Sequence, residues 1–248
     1  MAGFKTHITF STILGVGYGT SAYFLYDVPW PSCLLAGGLC GVSGMLPDLD
    51  SGPGRPLQES MAFAAAVVPV MLIHRFQQMG LSTEIIILIE AALYLLIRFG
   101  GAALLQWFTV HRGMFHSLPA AVIFGEAAFL LASGDLYMRL YKAGAVVLGY
   151  LSHLFLDEVY SFEWARGRLR LKSSFGTALK LFSRSWWPNI STYAKLTILT
   201  LAIFYEPFVW QHYRGLMADP QGKQKAATNS SSPQSSQSTS QFNFWLRR

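Results

Sequence analysis

Four short stretches of this 248-residue chain hold four of its six histidines and a concentrated set of aspartates. They are Lys5-Thr6-His7, Leu46-Pro47-Asp48-Leu49-Asp50, His111-Arg112-Gly113-Met114-Phe115-His116-Ser117, and Ser152-His153-Leu154-Phe155-Leu156-Asp157. His153 and Asp157 lie four apart, so a helix would turn both toward the same neighbour. Pro47 disfavours helix at Leu46, which places Asp48 and Asp50 at a break where both carboxylates can turn inward. Gly113 permits a turn between His111 and His116. Imidazole suits zinc and other divalent transition metals, and carboxylates also accept manganese or iron.

Each stretch also has a plainer account. His7 fits an interfacial histidine, Asp48 and Asp50 fit caps of a following turn, His153 and Asp157 fit a buried ion pair, and His111 and His116 fit a solvated loop. Their concentration in a chain with only 13% charged residues argues for one shared metal site. The expected metal ligands are His7, Asp48, Asp50, His111, His116, His153 and Asp157. Seven candidates exceed the three protein ligands of a typical catalytic zinc, so either two ions are held or some residues orient others. Zinc leads among the ions. Asp48 and Asp50 are also the candidates for activating water. Arg112, with its fork of donors, is the candidate for holding an anionic substrate, or alternatively it meets lipid headgroups. Ser117 and Ser152 are expected as supporting donors. No G-x-S-x-G elbow, Walker motif or H-E-x-x-H is present. His74 and His212 lack such company.

The elements that must position these residues are apolar. The chain is 52% hydrophobic, and its charged fraction is about half that of a soluble domain. Ile8–Tyr26 and Val28–Pro47 are uncharged runs near the length needed to cross a bilayer, and both are rich in small residues that favour close helix packing. Further candidate spans are Met61–Ile73, Ile85–Phe108, Leu118–Ala132, Ala143–Leu156 and Leu196–Trp210. The expected fold is all-α: a polytopic transmembrane helix bundle of about five to seven membrane helices. The first run is read as retained, since its start is only weakly basic and further apolar segments follow. Cys33 and Cys40 are read as small buried residues, because no C-x-x-C pattern occurs.

Residues 1–215 read as the transmembrane domain, with a basic connecting segment at 163–192. Within it, Arg166, Arg168, Arg170, Lys172, Lys180 and Arg184 are joined by no acid. Such a stretch suits anionic headgroups and the cytoplasmic side of a membrane. The net charge of +6 therefore points to membrane lipids as partners rather than to nucleic acid, for which no recognition motif appears. Protein partners are not indicated. Residues 216–248 are Ser- and Gln-rich and read as a disordered tail.

The four stretches, met in this order over residues 1–160, resemble the TH, PDxD, HRGxxHS and GxxSHLxxD signatures of the YdjM-like inner-membrane proteins, described as membrane-bound metal-dependent hydrolases. The resemblance implies a multi-pass protein of the cell inner membrane whose metal residues match the seven named above. The extended basic region and tail after Asp157 depart from the shorter members of that family. The leading expectation is a metal-dependent hydrolase acting on an ester or phosphoester of a lipid or membrane-associated substrate. The alternative is a non-enzymatic membrane protein that binds or transports a metal, or an adaptor working through its basic stretch.

Overall fold

Glycines and other small residues set how closely the helices approach. The computed structural model describes residues 3–50, 55–101, 103, 114–165, 168–171, 180–183, 186–207, 209–210 and 214. Seven α-helices run through these residues: α1 (Phe4–Tyr26), α2 (Trp30–Ser43), α3 (Arg55–Gln78), α4 (Thr83–Leu95), α5 (Leu118–Leu131), α6 (Leu136–Val159) and α7 (Trp186–Phe204). A 3-10 turn, Leu46–Asp50, joins α2 to α3, and α4 ends in a π-turn, Leu96–Gly100. The fold is all-α apart from one antiparallel hairpin, β1 (Phe162–Ala165) with β2 (Arg168–Leu171). That hairpin lies in the basic segment, where the sequence suggested only a connection.

The N-terminal unit spans Met1–Phe204 and contains all of these elements. In it, α1 and α2 pack through a glycine seam. A Cβ on Gly15 would come within 2.5 Å of the Gly37 carbonyl oxygen, and one on Gly19 within 2.8 Å of that of Cys33. Such small-residue contacts let helices associate where burial from water gives no driving force. Ser11 Oγ ties the seam by donating to the Gly41 carbonyl at 2.7 Å. Next, α6 lays Gly149 against α2 so closely that a Cβ would run into the Cys40 carbonyl and the Ser43 hydroxyl. Gly125 of α5 makes room in the same way for Val147 of α6. Cys33 and Cys40 are buried and unbridged.

Local capping fixes the ends. Ser117 precedes α5, and its hydroxyl accepts from the Ala120 amide at 3.4 Å; Pro119 sits at the helix start, where its missing N–H costs nothing. Asp135 caps α6 through the Met138 amide at 3.2 Å. Between the two helices, Lys142 Nζ donates to the Ser133 carbonyl at 3.0 Å and Arg139 Nε to that of Gly134 at 3.1 Å. These cations meet carbonyls just past the C-terminus of α5, where positive charge is favoured.

Among the described residues, Leu57–Gln78 within α3 is the one helix long and apolar enough to cross a membrane by length and composition, while α2 and α5 are shorter apolar helices. At 14 residues each, these two rise about 21 Å, short of a hydrocarbon core of about 30 Å. Large apolar side chains such as Ile13, Phe24, Leu88, Phe99 and Ile198 face outward. Helix boundaries differ from the sequence reading mainly by extension: α3 begins before Met61, α6 before Ala143 and α7 before Leu196. Polar residues at these starts masked the helices in a hydropathy scan. Of the C-terminal unit, Tyr205–Arg248, the described residues include one turn, in which the Val209 and Trp210 amides donate to the Glu206 carbonyl at 3.0 and 3.4 Å. Arg214 lies over the Trp210 ring at 5.6 Å. The Ser- and Gln-rich tail lies outside the described residues.

The seam predicts a sharp contrast between two glycines. Gly149→Ala should destabilise the protein by about 1–3 kcal/mol, since a packed interior must shift to admit the methyl group. Gly17→Ala, with nothing within 4 Å of the new atom, should leave stability unchanged or slightly raised. Thermal unfolding of the two variants in one detergent reads the difference directly.

Candidate metal centre

Chain direction gathers the site. The helices of the α1–α2 pair run in opposite directions, as do those of the α5–α6 pair, so the N-terminal end of α1, the turn after α2, the residues before α5 and the C-terminal end of α6 share one level. His7 stands in the first turns of α1, Asp48 in the 3-10 turn, His116 just ahead of the Ser117 cap, and His153 and Asp157 in the last turns of α6. Five of the seven sequence-predicted ligands are thereby brought together.

Asp157 is the centre of the group. Its Oδ1 lies 3.3 Å from His7 Nε2, and its Oδ2 lies 3.5 Å from His153 Nε2 and 3.6 Å from His116 Nε2. Asp48 Oδ1 faces the same two imidazoles, at 3.6 Å from each Nε2. Two three-residue sets therefore have ligand atoms clustered tightly enough for a cation: His7, His153 and Asp157, and Asp48, His116 and His153. His153 belongs to both.

Hydrogen bonding decides what these nitrogens are for. His153 Nδ1 lies 2.7 Å from the Gly44 carbonyl, which can only accept, so Nδ1 carries a proton and Nε2 is the nitrogen turned toward the carboxylates. An outer hydrogen bond of this kind is the usual device for aiming a metal-binding histidine. Ring stacking supports it from the other side: the His7 and His153 centroids are 3.7 Å apart with planes inclined by 15°. His116 Nε2 and His153 Nε2 are buried without a hydrogen-bond partner among the described residues.

The spacing suits a bound cation as well as an ion-pair cluster. Separations of 3.5–3.6 Å are too long for N–H···O hydrogen bonds, which fall near 2.9 Å. Four donors arranged tetrahedrally at about 2.0–2.2 Å from a cation stand about 3.3–3.6 Å from one another. The four nitrogen–oxygen separations joining His116 and His153 to Asp48 and Asp157 fall in that range, and the tight sets hold Asp48 and Asp157 separately. The donor set, two imidazoles and two carboxylates, is one that zinc, manganese and iron all accept.

Burial is uneven around the group. The His153 side chain is 0% exposed and Asp157 5%, whereas His116 is 17% and Asp48 22% exposed. The Asp48–His116 side is thus the open one. At Asp48, burial pushes the carboxyl up, but the interaction with His116 and the fields of His153, His116 and His7 outweigh it and hold the group below its ordinary range.

Other expected residues take different positions. Asp50 ends the 3-10 turn, and its side chain lies outside the described residues, as do His111 and Arg112. Ser117 Oγ donates to the Met114 carbonyl at 2.5 Å, and Ser152 Oγ to the Gly149 carbonyl at 2.6 Å. Both hydroxyls thus serve backbone rather than the imidazoles. The supporting group that the sequence did not reveal is the Gly44 carbonyl, and a main-chain acceptor carries no signature in residue type. Gly149 was visible as part of the Gly149–Asp157 stretch, but its role, seating α6 against α2, appears only in three dimensions.

The fold and this site define a helical membrane protein with a clustered His/Asp triad compatible with metal-dependent hydrolysis. The chain belongs to the YdjM inner membrane protein family, whose model matches residues 1–214. No curated protein and no solved structure matches it.

If the cluster closes on one ion, full-length protein purified in mild detergent without metal-affinity chromatography should carry about one equivalent of metal. His153→Ala and Asp157→Asn should be nearly metal-free by mass spectrometry. His7→Ala, which removes a support of Asp157 and His153, should keep the ion with about 10–100-fold weaker affinity. A folded parent that stays empty after supplementation with zinc, manganese and iron would defeat the assignment.

Proposed function

We propose that this protein is a multi-pass, inner-membrane, metal-dependent hydrolase that cleaves an ester or phosphoester of a lipid or membrane-associated substrate. The observation that carries the reading is the pair of buried Nε2 atoms without a hydrogen-bond partner among the described residues, each facing two carboxylates at 3.5–3.6 Å. His116, His153 and Asp157 are the proposed ligands of a first ion, with zinc the leading candidate, which leaves a fourth position for water beside Asp48. His7 braces Asp157 and stacks on His153. Asp50 and His111 are the residues that would complete a second ion's shell.

A bound divalent cation supplies Lewis acidity, lowering the charge cost at the attacked oxygen and the pKa of water. The chain's own groups do the rest. Asp48 lies on the open side, so it is the carboxylate placed to orient water and accept its proton. His153 and Asp157, closed off from solvent, hold position and exclude competing water. Arg112, four residues before His116, is proposed to pair with an anionic substrate group.

The basic segment at 163–192 follows α6 directly and so emerges at the same end of the bundle as the site. By the excess of Lys and Arg on cytoplasmic segments, both are proposed to face the cytoplasm, at headgroup level. A substrate embedded in the inner leaflet could then present its headgroup to Asp48 without leaving the membrane.

The test is turnover by the metal-loaded protein in mixed micelles on a panel of lipid esters and phosphoesters. Asp48→Asn should lower kcat by about a hundredfold or more. Arg112→Ala should raise KM for anionic substrates by about tenfold while leaving kcat close to the parent's. Metal-loaded, folded protein inert toward every member of both classes would leave a non-enzymatic metal-binding role instead.

A further inference from the structure

Beside the metal centre lies a cleft that the chemistry above does not use. It has a volume of about 380 Å³ and is bounded by α2, the 3-10 turn, α3 and α5, with Leu49, Ala64, Val67, Phe124 and Ala127 in its walls. That volume is within the range of small-molecule sites, about 300–1,000 Å³. Two hydroxyls, Ser43 and Ser60, interrupt the apolar lining. Ser43 Oγ is satisfied by the Cys40 carbonyl at 2.9 Å. Ser60 is 2% exposed, and its Oγ has no hydrogen-bond partner among the described residues. A buried hydroxyl is costly to leave unpaired, so each such case calls for a partner that the chain does not provide.

The cleft and the metal centre share a wall. Leu46 and Leu49 bracket Asp48 and line the cleft. Leu46 also packs against Tyr150 and Leu154, the latter adjacent to His153, and Leu49 against Leu57 and Met61 of α3. An occupant lying along α3 therefore has one end beside Asp48. In a bilayer, moving a hydrocarbon chain from lipid into such a cleft brings little hydrophobic gain, because lipid tails are equally apolar. Selection must come from shape and from a polar contact, and Ser60 supplies the one hydroxyl free to make it.

We propose that this cleft binds an acyl chain of an ester-linked lipid, with Ser60 Oγ donating to the ester carbonyl, and that it thereby sets the depth at which the headgroup bond meets Asp48. The occupant's link to catalysis rests on the hydrolase reading; its binding does not. A larger groove of about 800 Å³ between α1 and α2 offers a contrast. It is walled by Val16, Gly19 and Leu34, and the hydroxyl of Thr20 there bonds to its own helix at the Val16 carbonyl. Lacking a buried unpartnered hydroxyl among its described residues, it is an ordinary lipid-facing surface.

The experiment uses full-length protein in phosphatidylcholine vesicles doped with a phosphatidylglycerol carrying a diazirine midway along one acyl chain. After illumination, adducts are mapped by mass spectrometry. Adducts should concentrate at Ala64, Val67 and Ala127 over Val16 and Leu34. Ala64→Trp should abolish them, and Ala127→Phe should do the same from the facing helix, with parental metal content certifying the fold of each. Ser60→Ala should reduce them by about two- to tenfold, the worth of one hydrogen bond. Asp48→Asn should lose turnover and retain the adducts. Equal labelling of both grooves, unchanged by Ala64→Trp, overturns the acyl site even if lipid hydrolysis is found. Adducts confined to α3 and α5 without turnover on any lipid sustain the acyl site while removing the hydrolase reading.

Discussion

A carboxylate buried at the end of a helix must be compensated, and Asp157 shows how far that demand reaches. Taking such a charge out of water costs several kcal/mol even after relaxation. Its Oδ1 faces His7 from α1, and its Oδ2 faces His116 ahead of α5 and His153 from α6 itself. Three separate segments are thus bound to one side chain, and Asp48 brings in a fourth through the same two imidazoles. The cluster holds two carboxylates that share two histidines, a donor set able to take up a cation that compensates both acids.

This electrostatic demand works only because backbones can come close enough to meet it. The His153 ring reaches the Gly44 carbonyl at 2.7 Å because Gly149, one turn earlier on α6, lies directly against α2 at Cys40 and Ser43. The stacking of His7 on His153 depends in turn on α1 being drawn onto α2 through Gly15 and Gly19. Glycine in a helix is a weak helix former, so its recurrence along these seams is a packing device. The geometry of the His/Asp cluster and helix packing are consequently one problem in this protein, and substitutions far down the seam should be felt at the imidazoles.

Some of this was legible in the residues. The four-residue spacing of His153 and Asp157, the Pro47 break before Asp48, and the placement of every cluster at a span end pointed to one localised site. Local pattern cannot say which partners meet, however. That His7 stacks on His153, that Asp157 divides its two oxygens between different elements, and that a main-chain carbonyl fixes the tautomer are consequences of helix order and crossing. Ser117 and Ser152 illustrate the converse: their types suited supporting roles, but nearer backbone acceptors took their hydroxyls. The hairpin Phe162–Leu171 escaped notice because its arginines suggested a solvated connection. Ser60 gave no signal either, as a serine at the polar edge of an apolar run is ordinary until its neighbours are known.

The arrangement also bears on what kind of function such a site can have. A carrier needs polar groups that continue from one face of the membrane to the other. Here the His/Asp cluster occupies one end of the α1, α2, α5 and α6 group. Beyond it, the next layer is Ala36, Cys40 and Ala145, packed with Leu14 and Tyr18. Tyr18 stacks on Tyr141 at 4.9 Å and donates to that residue's carbonyl at 3.0 Å, closing the interior further. At the far end, Arg139 and Lys142 are engaged with the carbonyls of Gly134 and Ser133. Among the described residues, then, the cluster is sealed from behind and open on its Asp48–His116 side. A site with one entrance suits a substrate that arrives, reacts and leaves by the same route, and an apolar cleft sharing the Asp48 wall suits one that arrives through the membrane.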